Sequence, residues 1–334
     1  MKHMKVISLC LVLILSVAVL GCSFSGLVAT EEYSETDEFT GEPAEGSAGN
    51  EANPVGENGA IAYQHLEALT EIGPRWSGTA EEMETGQYIM DAFDEMGYGA
   101  ERQAFSATSD DGEAIDSSNI IAVKDGDSPQ VIVVGAHYDS SDEGLGTDDN
   151  GSGVAVLLEV AELVADETTP YTIYFVAFGA EEAGLLGSYE FMDALGDEDI
   201  LLYVNMDSLS IGDVTYIYSG SDTDALDWAV DWASANDYDL EPIANADLST
   251  DGEGTADYAA FDDAGIPWIY FEATNWDLGD EDGYTQVDPQ YGNNGEIIHT
   301  EYDDLAYFEE TFPGRVEEHL DLYVSVLYAI LTEY

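Results

Sequence analysis

Two histidines and a group of carboxylates stand out for where they fall. His137 follows the apolar run 131–134 through Gly135-Ala136, and Asp139 comes two residues later. Asp149 opens a second apolar stretch at 153–164. Glu181 and Glu182 follow the run 171–178, Asp207 follows 201–204, and His299 sits in Ile297-Ile298-His299-Thr300. Several carboxylates brought close together in a partly buried site cannot all stay ionised without a cation. No Lys or Arg occurs between Lys124 and Arg315, so no basic side chain from that stretch can supply the charge. A pair of divalent metal ions held by mixed imidazole and carboxylate ligands is the natural compensation. That donor set suits zinc, with cobalt or manganese as alternatives.

Such residues need a scaffold that gathers strand ends. Helical spacing of apolar residues begins at Ile61, Leu66 and Leu69, and a second helical pattern spans 79–96 before Gly97 stops it. Strand-like runs lie at 120–124, 131–134, 171–178, 201–204, 215–218 and 266–271. Between and after them come helical patterns at 153–164, 185–195, 225–233 and 315–331, the first apolar nearly all round and hence buried. Alternating helices and near-continuous apolar strands predict an α/β fold: a single domain with a mostly parallel central β-sheet flanked by helices on both faces. Ligands of such sheets bind beyond the C-terminal ends of the strands, which is where the candidate residues fall.

The charge balance narrows the partners. Of 334 residues, 71 are Asp or Glu and 6 are Lys or Arg, a net charge of -65. Nucleic acid and a basic membrane-binding patch are both excluded by that count. Hydrophobic residues at 45% and aromatics at 11% argue against disorder throughout. The bulk acid reads as a surface kept soluble in concentrated salt, where the Debye length falls to about 3 Å at 1 M. Residues 1–22 form a secretory leader, with Lys2 and Lys5 before the apolar run 6–20, too short for a comfortable membrane span. Val19-Leu20-Gly21-Cys22 resembles the lipobox of bacterial lipoproteins, which implies acylation of Cys22 and an exported protein held outside the cell membrane by lipid alone. Cys10 leaves with the leader, so the mature chain has no intrachain disulfide. Residues 23–58 are an acidic tether, and 59–334 a folded domain without internal repeats, read as a monomer.

From about Ala60 onward the chain closely resembles the M28 family of co-catalytic zinc aminopeptidases. The segments Gly-Thr-Ala-Asp-Tyr-Ala-Ala-Phe-Asp-Asp-Ala-Gly-Ile-Pro at 254–267 and Phe-Glu-Ala-Thr-Asn-Trp-Asp-Leu-Gly at 271–279 look like its bacterial alkaline phosphatase isozyme conversion branch. The resemblance implies two zinc ions: His137 and Asp207 on one, Glu182 and His299 on the other, Asp149 bridging. It implies Glu181 as general base, Asp139 orienting the His137 imidazole, and Asp303 a candidate for the same service to His299. The implied reaction removes N-terminal residues from peptides or proteins through a water activated by the metals. One departure is Ile298, where some relatives carry a Tyr that stabilises the tetrahedral intermediate. The short step from His137 to Asp149 leaves no room for an inserted protease-associated domain. Two other classes share the sequence features in part: a glutaminyl cyclase-like acyltransferase, which usually works with one zinc, and a silent binding lipoprotein, which should have lost a ligand or the base.

The remaining chemistry-bearing residues get plainer expectations. In so acidic a chain, Asp142, Glu143 and Asp148 default to solvated surface. His65 and His319 lie in helical patterns as surface or packing residues, and Trp228 and Trp232 belong to the core. Asn275-Trp276 either lines a pocket or braces a turn, and the acidic run 277–282 could steer basic N-termini.

Overall fold

The computed structural model describes residues 58–334 apart from 110–111, 197, 247–254 and 280–282. The leader, Cys22 and nearly all of the tether lie outside the described residues.

Near-continuous apolar runs make the central strands, because a strand covered on both faces needs no polar side. Strand β3 (Ser128–His137) is buried from Val131 to its end. Its alternate residues serve opposite faces: Ile132 and Val134 join one apolar cluster, Val131 and Val133 the other. Around it stand β4 (Tyr171–Phe178), β5 (Ile200–Met206) and β8 (Trp268–Thr274), all parallel to their neighbours in the order β4-β3-β5-β8. The antiparallel pair β1 (Glu101–Thr108) and β2 (Ala114–Lys124) extends the sheet beyond β4. Beyond β8 lie β6 (Val214–Ser219), antiparallel to it, and β7 (Glu241–Ala244), completing eight strands among the described residues.

Helices cover both faces, as the alternation predicts. The larger apolar cluster packs α1 (Ala60–Ile72), α2 (Ala80–Glu95), α3 (Gly153–Val164), α5 (Asp224–Ala235) and α8 (Arg315–Glu333) on one face. On the other, α4 (Leu186–Ala194) and α6 (Tyr258–Asp263) bring Phe191 and Phe261 against Phe178 and Tyr203. A short α7 (Leu305–Thr311) precedes α8. Two local devices fix the entry of the first helices. Thr79 accepts the Glu82 N–H at 3.3 Å while Glu82 reaches back to the Gly78 N–H at 2.6 Å, a variant of the capping box. Helix α1 has no side-chain cap of its own, and Glu159 from the middle of α3 takes the Gly59 and Ala62 N–H groups at 2.9 and 2.6 Å.

The turn Thr147–Ser152 before α3 is irregular, with a cis peptide bond between Asp149 and Asn150. Asn150 caps α3 through the Gly153 N–H (2.9 Å) and donates to the Met206 carbonyl (2.9 Å), tying this turn to the end of β5. Only glycine fits at 153: a Cβ there would lie 2.3 Å from Asn150 Oδ1 and 2.6 Å from the Met206 oxygen. Register completes the arrangement. His137 pairs with Phe178 and Gly135 with Asn205, so the segments after β3, β4 and β5 emerge along one edge.

Candidate active site and metal centre

The structure brings together His137, Asp149, Glu181, Glu182, Asp207 and His299, which line one cavity of about 360 Å³ at that edge. His137, Asp149 and Asp207 are buried, the two glutamates half-buried, and His299 exposed. Their donor atoms fall into two groups. His137 Nε2 lies 3.1 Å from Asp149 Oδ1 and 3.3 Å from Asp207 Oδ1, with Glu181 Oε2 further off at 4.0 Å. His299 Nε2 lies 2.9 Å from Asp149 Oδ2 and 3.3 Å from Glu182 Oε2. Asp149 therefore gives one oxygen to each imidazole. Ligands arranged tetrahedrally at about 2.0–2.1 Å from a zinc ion are about 3.3 Å from one another, and both groups match that spacing. The other oxygen of Glu182 is buried without a hydrogen-bond partner. Imidazoles and carboxylates at these spacings fit a metal of the zinc type.

The electrostatics say the same in another way. Burial pushes the carboxyls of Glu181, Glu182 and Asp207 up. Burial would raise Asp149 too, but its contacts with His137 and His299 outweigh that and hold it well below the usual range. Although burial opposes charge on both imidazoles, the surrounding carboxylates drive His137 well above its ordinary value and His299 up to about 12. Without a metal the cluster gathers protons, which is how a site short of positive charge behaves.

Asp139 holds more than the imidazole. His137 Nδ1 lies 3.2 Å from the Asp139 carbonyl and 3.6 Å from its carboxylate. A carbonyl can only accept, so Nδ1 carries a hydrogen, and Nε2 is left as the ring atom that would meet a metal. The Asp139 carboxylate accepts the N–H groups of Glu181 and Glu182 at 3.0 and 3.2 Å and the Ser77 hydroxyl at 2.6 Å. One side chain thus fixes both the histidine loop and the glutamate loop, where Ala180 adopts a positive φ of 56°.

Two expectations are corrected. Asp303 does not serve His299; its two oxygens take the Asp148 N–H at 2.6 Å and the Asp149 N–H at 3.3 Å, bracing the turn that carries Asp149. Asp148 is not solvated surface. It is fully buried, accepts from the Ser210 N–H (2.6 Å), the Ser210 hydroxyl (2.7 Å) and Gln286 Nε2 (2.9 Å), and is pushed up to about 7 by burial. The defaults for Asp142 and Glu143 hold, as both are exposed. His65 packs beside Tyr88, with 2.7 Å between Nδ1 and the hydroxyl, and His319 packs on α8. Trp228 and Trp232 lie against the larger core cluster. Trp276 lines the cavity and donates to the Tyr218 hydroxyl at 2.6 Å, whereas Asn275 bonds Asp213 at 3.2 Å.

Arg75 carries no local signal of its role. The stretch without Lys or Arg borrows a base from outside: a fully buried guanidinium bonded to the carbonyls of Tyr138 (2.9 Å), Leu145 (2.8 Å), Gly146 (2.7 Å) and Gly73 (3.2 Å). Its charge lies near Asp303, Asp139, Asp149 and Glu182. The remaining cavity wall includes Trp76, Tyr270, Glu272, Tyr284 and Ile298, with Ser109, Glu113 and Ile115 contributed around the facing ends of β1 and β2. Burial pushes Glu272 up to about 8, and the Tyr218 hydroxyl donates to it at 2.6 Å.

Proteins of known kind share this sequence and fold. The sequence profile of peptidase family M28 matches residues 119–324. The alkaline phosphatase isozyme conversion protein of Escherichia coli is 31% identical, over 78% of this chain and 85% of its own. A probable lipoprotein aminopeptidase of Mycobacterium tuberculosis, LpqL, is 33% identical over 46% of this chain and 34% of its own. Among solved structures, a zinc aminopeptidase from Bacillus subtilis has a TM-score of 0.68 at 19% identity, covering 85% of this chain and 97% of that one. The glutaminyl cyclase of Porphyromonas gingivalis has a TM-score of 0.67 at 21% identity, covering 82% and 97%. With the family profile matched over most of the chain and the ligand geometry in place, the chain belongs to peptidase family M28 as a metallo-aminopeptidase.

Proposed function

We propose that this site holds two zinc ions and removes N-terminal residues from peptides or proteins. His137 and Asp207 would hold one ion, Glu182 and His299 the other, with Asp149 between them. The observation that carries this reading is the division of Asp149, one oxygen at 3.1 Å from His137 and the other at 2.9 Å from His299. Bound zinc would lower the pKa of water toward neutrality and polarise the scissile carbonyl. Glu181 takes the proton from the attacking water and returns it to the leaving amine. Asp139 keeps that base in place through the Glu181 N–H. The carboxylates lining the cavity would surround the substrate's free α-ammonium, restricting cleavage to N-termini.

Glutaminyl cyclases share the fold, but that chemistry usually goes with one working metal. Here two donor groups are present, His137 with Glu181 and Asp207, and Asp149 with Glu182 and His299, which favours hydrolysis. Purified protein in molar salt should hydrolyse an aminoacyl p-nitroanilide and lose the activity to a chelator. Glu181→Gln should lower turnover by about a hundredfold or more while retaining the metal. Activity that survives exhaustive chelation rejects the metal role, and turnover that survives Glu181→Gln rejects the base. Conversion of N-terminal glutamine to pyroglutamate without hydrolysis would favour the cyclase.

The enzyme would work as a monomer outside the cell, adapted to brine and tethered through an acylated Cys22. Among the described residues no helix is long and apolar enough to cross a membrane. The lipobox sequence carries the anchoring proposal, and the description of LpqL as a lipoprotein aminopeptidase supports it. An intact-mass measurement on membrane-extracted protein should find diacylated Cys22 at the N-terminus; any other N-terminus rejects the anchor.

A further inference from the structure

The side chains behind the donor groups form a second, fully connected layer. Asp148 Oδ1 takes both donors of Ser210, and its Oδ2 takes Gln286 Nε2 at 2.9 Å. Gln286, 1% exposed, turns its Oε1 to the N–H groups of Ile297 (3.1 Å) and Ile298 (2.8 Å). Each end of this relay reaches a segment that carries a donor to the cavity. Asp148 precedes Asp149, Ser210 lies three residues after Asp207, and Ile298 precedes His299. His299 is exposed, has a positive φ of 55° and belongs to no helix or strand, so its loop relies on such bonds for its position.

We propose that Asp148 and Gln286 are positioning residues that set the distance between the Asp149 carboxylate and the His299 imidazole, and so the affinity for the ion those two residues share with Glu182. The proposal rests on the two-zinc reading above. Neither residue lines the cavity, so both act through the ligands. The polarity of the relay is fixed from end to end. The backbone N–H groups of Ser210, Ile297 and Ile298 can only donate, so the carboxylate and the amide must stand in their present order. In Gln286→Glu two buried carboxylates would face each other. In Asp148→Asn two amide nitrogens would meet; turning Gln286 over would only move that conflict to Ile297 and Ile298. Exchanging both restores every bond. The amide newly placed at position 148 would accept from Ser210 through its oxygen and donate through its nitrogen to the carboxylate newly placed at position 286. That carboxylate's other oxygen would accept from Ile297 and Ile298, and the total charge would be unchanged.

The full chain, in molar salt, is titrated with zinc against a chromophoric chelator, resolving two binding events, and the metal-free protein is melted to check folding. Each single substitution should weaken the event at the Glu182–His299 group by about 10–100-fold, and the other event, which shares Asp149, by less. The double variant Asp148→Asn/Gln286→Glu should recover the lost affinity to within about threefold. Wild-type affinity for both ions in the single variants overturns the proposal, as does a double variant no better than the singles. If a single substitution prevents folding, the double variant decides: near-wild-type zinc uptake supports the relay, and failure to fold or bind overturns it. Wild-type protein that takes up no zinc at all is a different result, and overturns the two-zinc reading itself.

Discussion

Arg75 shows how a single side chain can hold a site it never enters. Its guanidinium ties the carbonyl after His137 to those of Leu145 and Gly146, just ahead of the turn that bears Asp149. It also places the one buried guanidinium among the described residues beside a crowd of carboxylates. Burial lowers its pKa, and the nearby Asp303 and Asp139 work to keep it charged. Arg75→Met keeps much of the volume but strands buried carbonyls and removes the countercharge. It should cost about 3–5 kcal/mol of stability, measured by urea unfolding at fixed salt and zinc. A loss below about 1 kcal/mol would show that water or other donors replace the guanidinium. His137, Glu181, Glu182 and Asp207 were legible in the sequence because each ends or follows an apolar run that forms a strand, whereas Asp149 sits in the turn before α3 and His299 lies in a loop. The roles of Asp148, Asp303, Arg75 and Gln286 were not legible. Their burial is decided by partners far along the chain, 155 residues away for Asp148 and Asp303 and 138 for Gln286 and Asp148. In a chain with 71 acids, nothing local separates a buried carboxylate from a solvated one.

At the scale of elements the same logic sorts what could be read from what could not. The interior strands β3, β4 and β5 announce themselves as apolar runs because both faces are covered, and their neighbours follow from length and alternation. The predicted helix 153–164 coincides with α3, and 79–96 with α2 and its cap. The strand expected at 120–124 begins at Ala114, since its outer half alternates between faces and pairs with β1. Strands β1 and β7 give no such signal. Edge strands bury little, and Glu-Arg-Gln-Ala-Phe-Ser-Ala-Thr reads as polar chain. The short helices α6 and α7 are too brief for a periodic signal to accumulate. Glu159 is the reverse case, an acid inside an apolar helix that looks like an error in the pattern. It is the cap that α1 lacks. The ordering of the strands, and hence which loops converge, depends on pairing between distant segments, which no local pattern encodes.

The whole molecule carries a charge of -65, and among the described residues Arg315 with Asp213, at 2.9 Å, is the one ion pair made by Lys or Arg with a carboxylate. Self-repulsion is therefore relieved mainly by the solvent's ions. Burial adds a pH dependence of definite sign. It raises Glu82 and Asp257 to about 7 and Glu272 to about 8, so the folded chain keeps protons that the unfolded chain releases. Their contribution is complete below the ordinary carboxylate range and is lost as pH rises through about 7–8. His65 and His319, lowered by burial to about 4, work in the opposite sense, but that effect is finished by about pH 6.5. Unfolding of chelator-treated protein should thus show stability rising with chloride between about pH 6.5 and 8.5, and falling across that interval at fixed chloride. A flat salt profile would reject the brine adaptation, and a rise in stability across that pH interval would reject the buried-proton account. The cavity wall also bears on how such an enzyme changes over time. Ser109, Glu113 and Ile115 come from the hairpin of the outer β1–β2 pair, whereas His137, Asp149, Glu181, Glu182 and Asp207 come from loops at the centre of the sheet. Part of the cavity wall is thus carried on a piece of the chain apart from the clustered histidines and carboxylates. Substitutions in that hairpin should therefore reshape the cavity without displacing the clustered side chains, so the chain can vary, or be varied by an engineer, in one part while the other keeps its arrangement.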